Sequence, residues 1–380
     1  MNIREIVAGT PPHHWILLAL FLITFLYQTG MYFLVYNKVP QYHRKIGRAF
    51  KGKISIIICA KNEAENLRCL LPKVLQQDYP EFEVVVVNDS STDDTEQVLM
   101  EMASQYGHLR YTSIPEDEKL KRGKKLALTI GLKAARFDHI LLTDADCYPV
   151  SDQWIRKMAS HFSARHRIVL GYGGYEKRKG LLNILIRYET TFTAMQYLSF
   201  AILGKPYMGV GRNLAYQKAL FFENKGFAAH YHLASGDDDL FVNANATWEN
   251  CVVEFSPISH TRSVPETSFR SWIRQKKRHL SAGSHYRKGS RIRLASEWIS
   301  RIILYPVLIW ICVSSPWKIP VASLFIVLLI IRLSIFKKTM RRLKEKYLLL
   351  PSLLLDPVFP VILGILWISG RFDKKYQPWK

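Results

Sequence analysis

The sequence predicts an α/β fold, a doubly wound and mostly parallel sheet, flanked by transmembrane helices. Three observations predict it. Short β-branched runs at 54–59 (ISIIIC) and 83–87 (EVVVV) alternate with helical patterns, as in a parallel sheet buried on both faces. Polar, acid-bearing clusters follow the strands at 60–63, 88–91 and 144–146. Nearly charge-free stretches stand towards both ends of the chain, with a soluble pattern between them.

Of 380 residues, 53 are Lys or Arg and 31 Asp or Glu, a formal net charge of +22. A hydrophobic content of 48% excludes a disordered chain. Cys59, Cys69, Cys147, Cys251 and Cys312 form no CxxC pair and no zinc spacing, which fits reduced thiols facing a cytosolic compartment.

Residues 15–36 hold no charge. At about 1.5 Å per residue they cross an apolar core of about 30 Å. The run is too long for a signal peptide, and no small-residue cleavage pattern follows. Residues 37–53 form a basic linker with Lys38, Arg44, Lys45, Arg48, Lys51 and Lys53 and no acid. This places the linker in the cytoplasm and the N-terminus outside.

Residues 54–265 form the soluble unit. Strands at 54–59, 83–87 and 139–142 are interleaved with helices at 65–77, 93–106 and 124–135, and ligands bind beyond the carboxyl ends of such strands. Residues 181–203 are long and apolar but contain Arg187 and Glu189, so they read as a core or interfacial helix rather than a span. Residues 266–297 are strongly basic, as suits an anionic leaflet. A transmembrane hairpin occupies 298–335. The last segment, 336–380, begins and ends basic; within it, residues 347–370 carry Pro351, Pro357 and Pro360 and read either as a kinked span or as an interfacial segment.

Two stretches carry chemistry on their own terms. Asp144-Ala145-Asp146 follows an apolar strand and offers hard oxygen ligands for a divalent cation, with one carboxylate gripping the ion more directly than the other. Gly236-Asp237-Asp238-Asp239 groups three acids whose repulsion raises at least one pKa, as a general base requires. No Gly-rich phosphate loop opens a helix.

Taken in order, VVVVNDSSTDDT (84–95), GKKLA (123–127), TDAD (143–146), GDDDL (236–240) and QKKRH (275–279) resemble the motifs of the family 2 glycosyltransferases, inverting enzymes of GT-A fold. With its flanking spans the chain resembles bacterial membrane-bound members. The resemblance implies that Asn62, Glu63 and Asp89 line the nucleotide pocket, with Asp93 capping the helix that follows. Asn88 stands where the family's first acid would be. Lys124 meets the phosphates or holds the acids near them. Asp144 and Asp146 serve donor and metal, Mg or Mn. Asp238 is the base, with Asp237 second and Asp239 structural. Gln275 and Arg278 bind the diphosphate, and His279 replaces the family's Trp at the acceptor end. Gly211 and Arg212 lie near the acceptor.

The expected activity is transfer of a sugar from a nucleotide diphosphate-sugar to a lipid-linked or membrane-proximal glycan acceptor. The enzyme would be a multi-pass protein of the inner (cell) membrane with a cytoplasmic catalytic domain. A processive polysaccharide synthase is the alternative, and a non-catalytic basic membrane scaffold the third reading. No nucleic-acid partner is expected, because no reader motif accompanies the positive charge.

Overall fold

The computed structural model describes residues 11–43, 50–115, 123–233 and 235–372. The first ten residues, Arg44, Lys45 and Arg48 of the basic linker, residues 119–122 and the basic tail beyond 372 lie outside the described residues.

The chain opens with α1 (Pro12–Gly30), prolonged by a π-helical turn (Met31–Tyr36) and a short helix (Lys38–Gln41). Then follow β1 (Ile54–Ala60), α2 (Ala64–Leu75), β2 (Phe82–Asp89), α3 (Thr95–Gln105), β3 (Leu109–Ile114), α4 (Lys124–Ala134) and β4 (His139–Leu142). Next come β5 (Cys147–Pro149), α5 (Trp154–Ala159), β6 (Ile168–Leu170), β7 (Gly173–Tyr175), α6 (Leu181–Ile202), β8 (Leu214–Gln217) and α7 (Lys218–Glu223). After these stand α8 (Asp239–Asn245), β9 (Cys251–Val253), β10 (Thr261–Ser263) and α9 (Phe269–Ala282). Three long helices close the fold: α10 (Lys288–Ser314), α11 (Lys318–Arg342) and α12 (Leu349–Phe372).

Among the described residues, seven strands form one sheet in the order β3-β2-β1-β4-β8-β6-β9. β1 pairs in parallel with both β2 and β4, whereas β8 runs antiparallel to β4 and β6. The chain builds outward from β1 through β2 to β3, then returns to β1's other side with β4. That reversal opens the crevice at the carboxyl ends of β1 and β4. All seven residues of β1 are buried, and its alternating side chains feed two cores. Ile54, Ile56 and Ile58 pack with Leu67, Leu71, Val98 and Trp154. Ile57 and Cys59 pack with Leu128 and Leu132 of α4. Gly131 permits this close approach, since a Cβ there would stand 2.6 Å from Ile57 Cγ2. A second sheet, β5-β10-β7, braces the end of β4.

Among the described residues, four helical segments are long and apolar enough to cross a membrane: Pro12–Gln41, Lys288–Ser314, Lys318–Arg342 and Leu349–Gly370. The region around 347–370, open between a kinked span and an interfacial piece, is therefore a continuous helix of spanning length. α6 is not among the four. It is largely buried, and its charges are paired: Arg187 with Glu345 at 2.5 Å, Glu189 with Lys276 at 2.6 Å. Glu345, just after α11, also pairs with Arg262 of β10 and accepts from Tyr172 Oη at 3.0 Å, which fastens the apolar helices to the sheet region. Within the apolar bundle, buried Asp356 of α12 pairs with Arg332 of α11 and with Arg301 of α10.

Candidate active site

The crevice at the β1 and β4 ends is a cavity of about 1070 Å³. Its walls include Glu63, Lys124, Asp144, Asp146, Gly211, Arg212, Asp237, Asp238, Gln275, Arg278 and His279. The structure thus brings together most of the residues that the motifs single out, from segments as far apart in sequence as residues 63 and 279.

Lys124 opens α4 and is the hub. Its ammonium lies 2.6 Å from Asp144 Oδ1 and 3.2 Å from Asp237 Oδ2. Burial works against its charge, but Asp144, Asp237 and Asp238 outweigh that and raise its pKa well above the ordinary value. Asp237, though buried, is held below the usual carboxylate range because Lys124 compensates the burial. Asp238 behaves oppositely. Burial, then the charge of Asp237, pushes it up to about 6. Its carboxylate is oriented from both sides: Oδ2 accepts from the Gly211 N–H at 2.6 Å, and Oδ1 from the Asp239 N–H at 2.7 Å. Asp239 turns away to accept from Tyr286 Oη at 2.7 Å and from the Leu240 N–H at 2.7 Å. Three adjacent acids thus divide into one paired with a cation and two that are raised: Asp238, held by the Gly211 N–H, and Asp239, which burial and then Asp238 push up to about 7 and which is tied into the scaffold.

Asp144, Asp146 and Cys147 each present a ligand atom within 4.8 Å of the others. Burial, then Asp144, pushes Asp146 up to about 6. A divalent cation against both carboxylates would relieve that repulsion, so the donor set fits Mg or Mn. The Cys147 thiol is engaged with Asp146 Oδ1 at 3.2 Å and Ser263 Oγ at 2.8 Å, which steadies Asp146. Arg212 donates to the Gly173 carbonyl at 2.9 Å and to Tyr175 Oη at 3.0 Å, and its guanidinium covers the Tyr175 ring. It stands on the Asp146 side of the cavity and counters the charge of that carboxylate.

Other motif residues have different surroundings from those expected. Asn62, in a left-handed conformation, turns its side chain to the β2 loop, accepting from the Thr92 N–H at 2.8 Å, and does not line the cavity. Asp89 is 1% exposed at the end of β2. Its nearness to the cluster shows at Cys59, whose thiol is pushed up by burial and, against Lys124, by Asp237, Asp144 and Asp89. Asp93 does not cap only the helix that follows it. It accepts from Thr95 at 3.1 Å but also reaches across to the Ala64 N–H of α2 at 3.1 Å, because the β1 and β2 ends are adjacent. Glu63 begins α2 and accepts from Asn66 Nδ2 at 2.6 Å. Gln275 and Arg278 project from α9 into the cavity, with His279 exposed at the rim. The sequence motifs give Lys125, Glu189 and Tyr286 no role at the site; a cation in a helix's first turn and an acid within an apolar helix are the signals that point to the first two.

The matched families fit this geometry. Residues 55–221 match the family described as Glycosyl transferase family 2, and residues 139–363, more than half of the chain, match Glycosyl transferase family group 2. The poly-beta-1,6-N-acetyl-D-glucosamine synthase of Staphylococcus epidermidis is 32% identical over 93 residues, which is 24% of this chain and 21% of that protein. Glycosyltransferase AglE of Haloferax volcanii is 32% identical over 112 residues, 29% of this chain and 35% of the relative. The matches thus span about a fifth to a third of these curated relatives. Among solved structures, the mannosyltransferase PcManGT of Pyrobaculum calidifontis, in complex with GDP-Man and Mn2+, superposes with a TM-score of 0.61 at 19% identity. That likeness covers 94% of this chain and 100% of the other, and it shows a shared GT-A-like fold. The chain belongs to the family 2 glycosyltransferases.

Proposed function

We propose that this glycosyltransferase moves a sugar, with inversion, from a nucleotide diphosphate-sugar to a lipid-linked or membrane-proximal glycan acceptor. The carrying observation is the composition of the cavity. Its lining combines Asp144, Asp146, Lys124 and Asp238 with the apolar Met208, Leu280 and Leu363, the last on the apolar helix α12. Reacting carboxylates and apolar side chains lining one cavity suit an amphiphilic acceptor that arrives from a bilayer. PcManGT, of like fold, is described in complex with GDP-Man and Mn2+, which supports a nucleotide-sugar donor and a metal.

In this reading Asp144 and Asp146 hold a divalent cation, which when bound supplies positive charge to the departing diphosphate. Arg278 and Gln275 bind the same diphosphate from α9. Glu63 meets the nucleoside, while Asn62 and Asp89 shape the loop and the floor beneath it. Asp238 takes the proton from the acceptor hydroxyl as that oxygen attacks the anomeric carbon. Lys124 keeps Asp237 ionised, and that charge keeps Asp238 basic enough for the task. Gly211 and Arg212 border the acceptor, with His279 at the rim.

The soluble unit, residues 54–265, would then face the cytoplasm, with residues 1–36, 298–335 and the helix within 336–380 in the inner (cell) membrane. The basic runs at 37–53, 267–293 and 336–346, all next to apolar segments, support this orientation. Purified protein supplied with a panel of nucleotide-sugars and a lipid-linked acceptor tests the activity. Wild-type turnover in both Asp144→Ala and Asp238→Ala would overturn the mechanism. Processive synthesis is the second reading, favoured by the likeness to a poly-beta-1,6-N-acetyl-D-glucosamine synthase. A ladder of products on a gel supports it; a single added sugar excludes it.

A further inference from the structure

We propose that Lys125 is a positioning residue that fastens the backbone carrying Asp237, Asp238 and Asp239, while its neighbour Lys124 fastens a side chain of the same segment. Consecutive residues on a helix point in different directions. Here that divergence gives the pair two tasks. Lys124 reaches into the cavity to Asp144 and Asp237. Lys125 turns the other way and donates to the His230 carbonyl at 2.6 Å and the Leu233 carbonyl at 3.0 Å.

Two costs show that this placement is selective. Lys125 lies in the first turn of α4, where the helix dipole disfavours a cation. It is also buried, only 6% exposed, and an ammonium leaves water only where donors are satisfied. Both acceptors are carbonyls, so these two bonds secure main chain. The carbonyls belong to the stretch between the 3-10 turn Ala228–His230 and Gly236. Gly236 has φ +100°, and a Cβ there would stand 2.4 Å from Leu240 Cδ1, so the chain turns sharply into the acids at that point. Two tethered carbonyls and a fixed turn set where Asp237 and Asp238 emerge. The Gly211 N–H then receives Asp238 from the opposite wall.

Among the described residues, the charged and titratable groups around Lys125 are Asp237, Asp238 and Asp239 of the segment, His230, whose carbonyl it binds, and Lys124 beside it. Burial outweighs the three acids and brings Lys125 down to about 8. The ammonium is present below that pH and is lost as pH rises past it, so the tether weakens in mild alkali.

The inference rests on Asp238 being the base, and the experiment separates the two. Full-length protein in nanodiscs is compared as wild type, Lys125→Met, Lys125→Arg and Asp238→Asn, by hydrogen exchange and by donor kinetics. In Lys125→Met, exchange should rise at residues 235–240 and stay unchanged in β1 and β2. Its kcat should fall by on the order of 100-fold, as a displaced catalytic group predicts, with donor KM within about twofold. Lys125→Arg, which stays charged, should restore protection and remove the alkaline limb near pH 8. Unchanged exchange at 235–240 in Lys125→Met, or an intact alkaline limb in Lys125→Arg, overturns the proposal. Full turnover in Asp238→Asn together with loosened exchange in Lys125→Met would remove the base assignment and leave the tether standing.

Discussion

Lys124 Nζ lies 2.6 Å from Asp144 Oδ1, and this ion pair joins the acid cluster after β4 to the acids ahead of α8. The same ammonium serves Asp237, so its loss leaves two partly buried carboxylates without their shared cation. Lys124→Met is expected to raise donor KM and lower kcat together, costing on the order of 100-fold in kcat/KM. Steady-state kinetics with the preferred donor checks this. Lys124→Arg should recover part of the loss.

Asp238→Asn keeps the shape of the side chain and removes its basicity. Its kcat is expected to drop by about 10²–10⁴-fold while calorimetry finds donor affinity retained. A base acts when deprotonated, and burial followed by the Asp237 charge raises Asp238 to about 6. Wild-type turnover should therefore decline as pH falls through about 6. A pH–rate profile flat down to pH 4.5 would exclude this carboxylate as the base.

Chelation with EDTA is expected to abolish transfer, and added Mn or Mg to restore it. Ser263 and Cys147 steady Asp146 from behind. Cys147→Ala should then raise the half-activating metal concentration by about 10- to 100-fold, with Asp146→Asn above that. Metal titration of the apo enzyme measures both shifts, and equal titration curves would count against a metal at Asp146.

Asp356 faces Arg301 and Arg332 in the apolar bundle and accepts from Tyr305 Oη. Removing one member of a buried ion network leaves the others uncompensated. Asp356→Ala is expected to destabilise the protein by about 3–5 kcal/mol, read as a lowered Tm in detergent. The double variant Arg332→Met/Asp356→Leu should be more stable than Asp356→Ala, because two charges leave together.

The strands at 54–59, 83–87 and 139–142 and the apolar helices were legible from local pattern, whereas β3 and the short strands β5 to β10 were not. β1 and β2 are continuously apolar over residues 56–60 and 84–87 because both faces are covered there, and that burial writes itself into consecutive residues. The acid motifs were legible too, since each ends a strand or opens a helix. The partners of those acids were not. Asp93 was expected to cap its own helix, yet it also binds Ala64, because only sheet order brings the β1 and β2 ends side by side. Glu189 looked like a charge stranded in an apolar helix until α9 supplied Lys276.

The sequence by itself determined three of the strands and the three helices that open the soluble unit, the apolar segments and the residue types that could do the chemistry. These depend on side-chain pattern within a few turns of chain. Only the tertiary structure decided how alike residues differ. Asp237, Asp238 and Asp239 are chemically identical and consecutive, yet one meets Lys124, one meets the Gly211 N–H and one meets Tyr286. Lys124 and Lys125 part in the same way, one to carboxylates and one to carbonyls. A protonation state follows from burial and neighbouring charge, and both are properties of packing between segments distant in the chain.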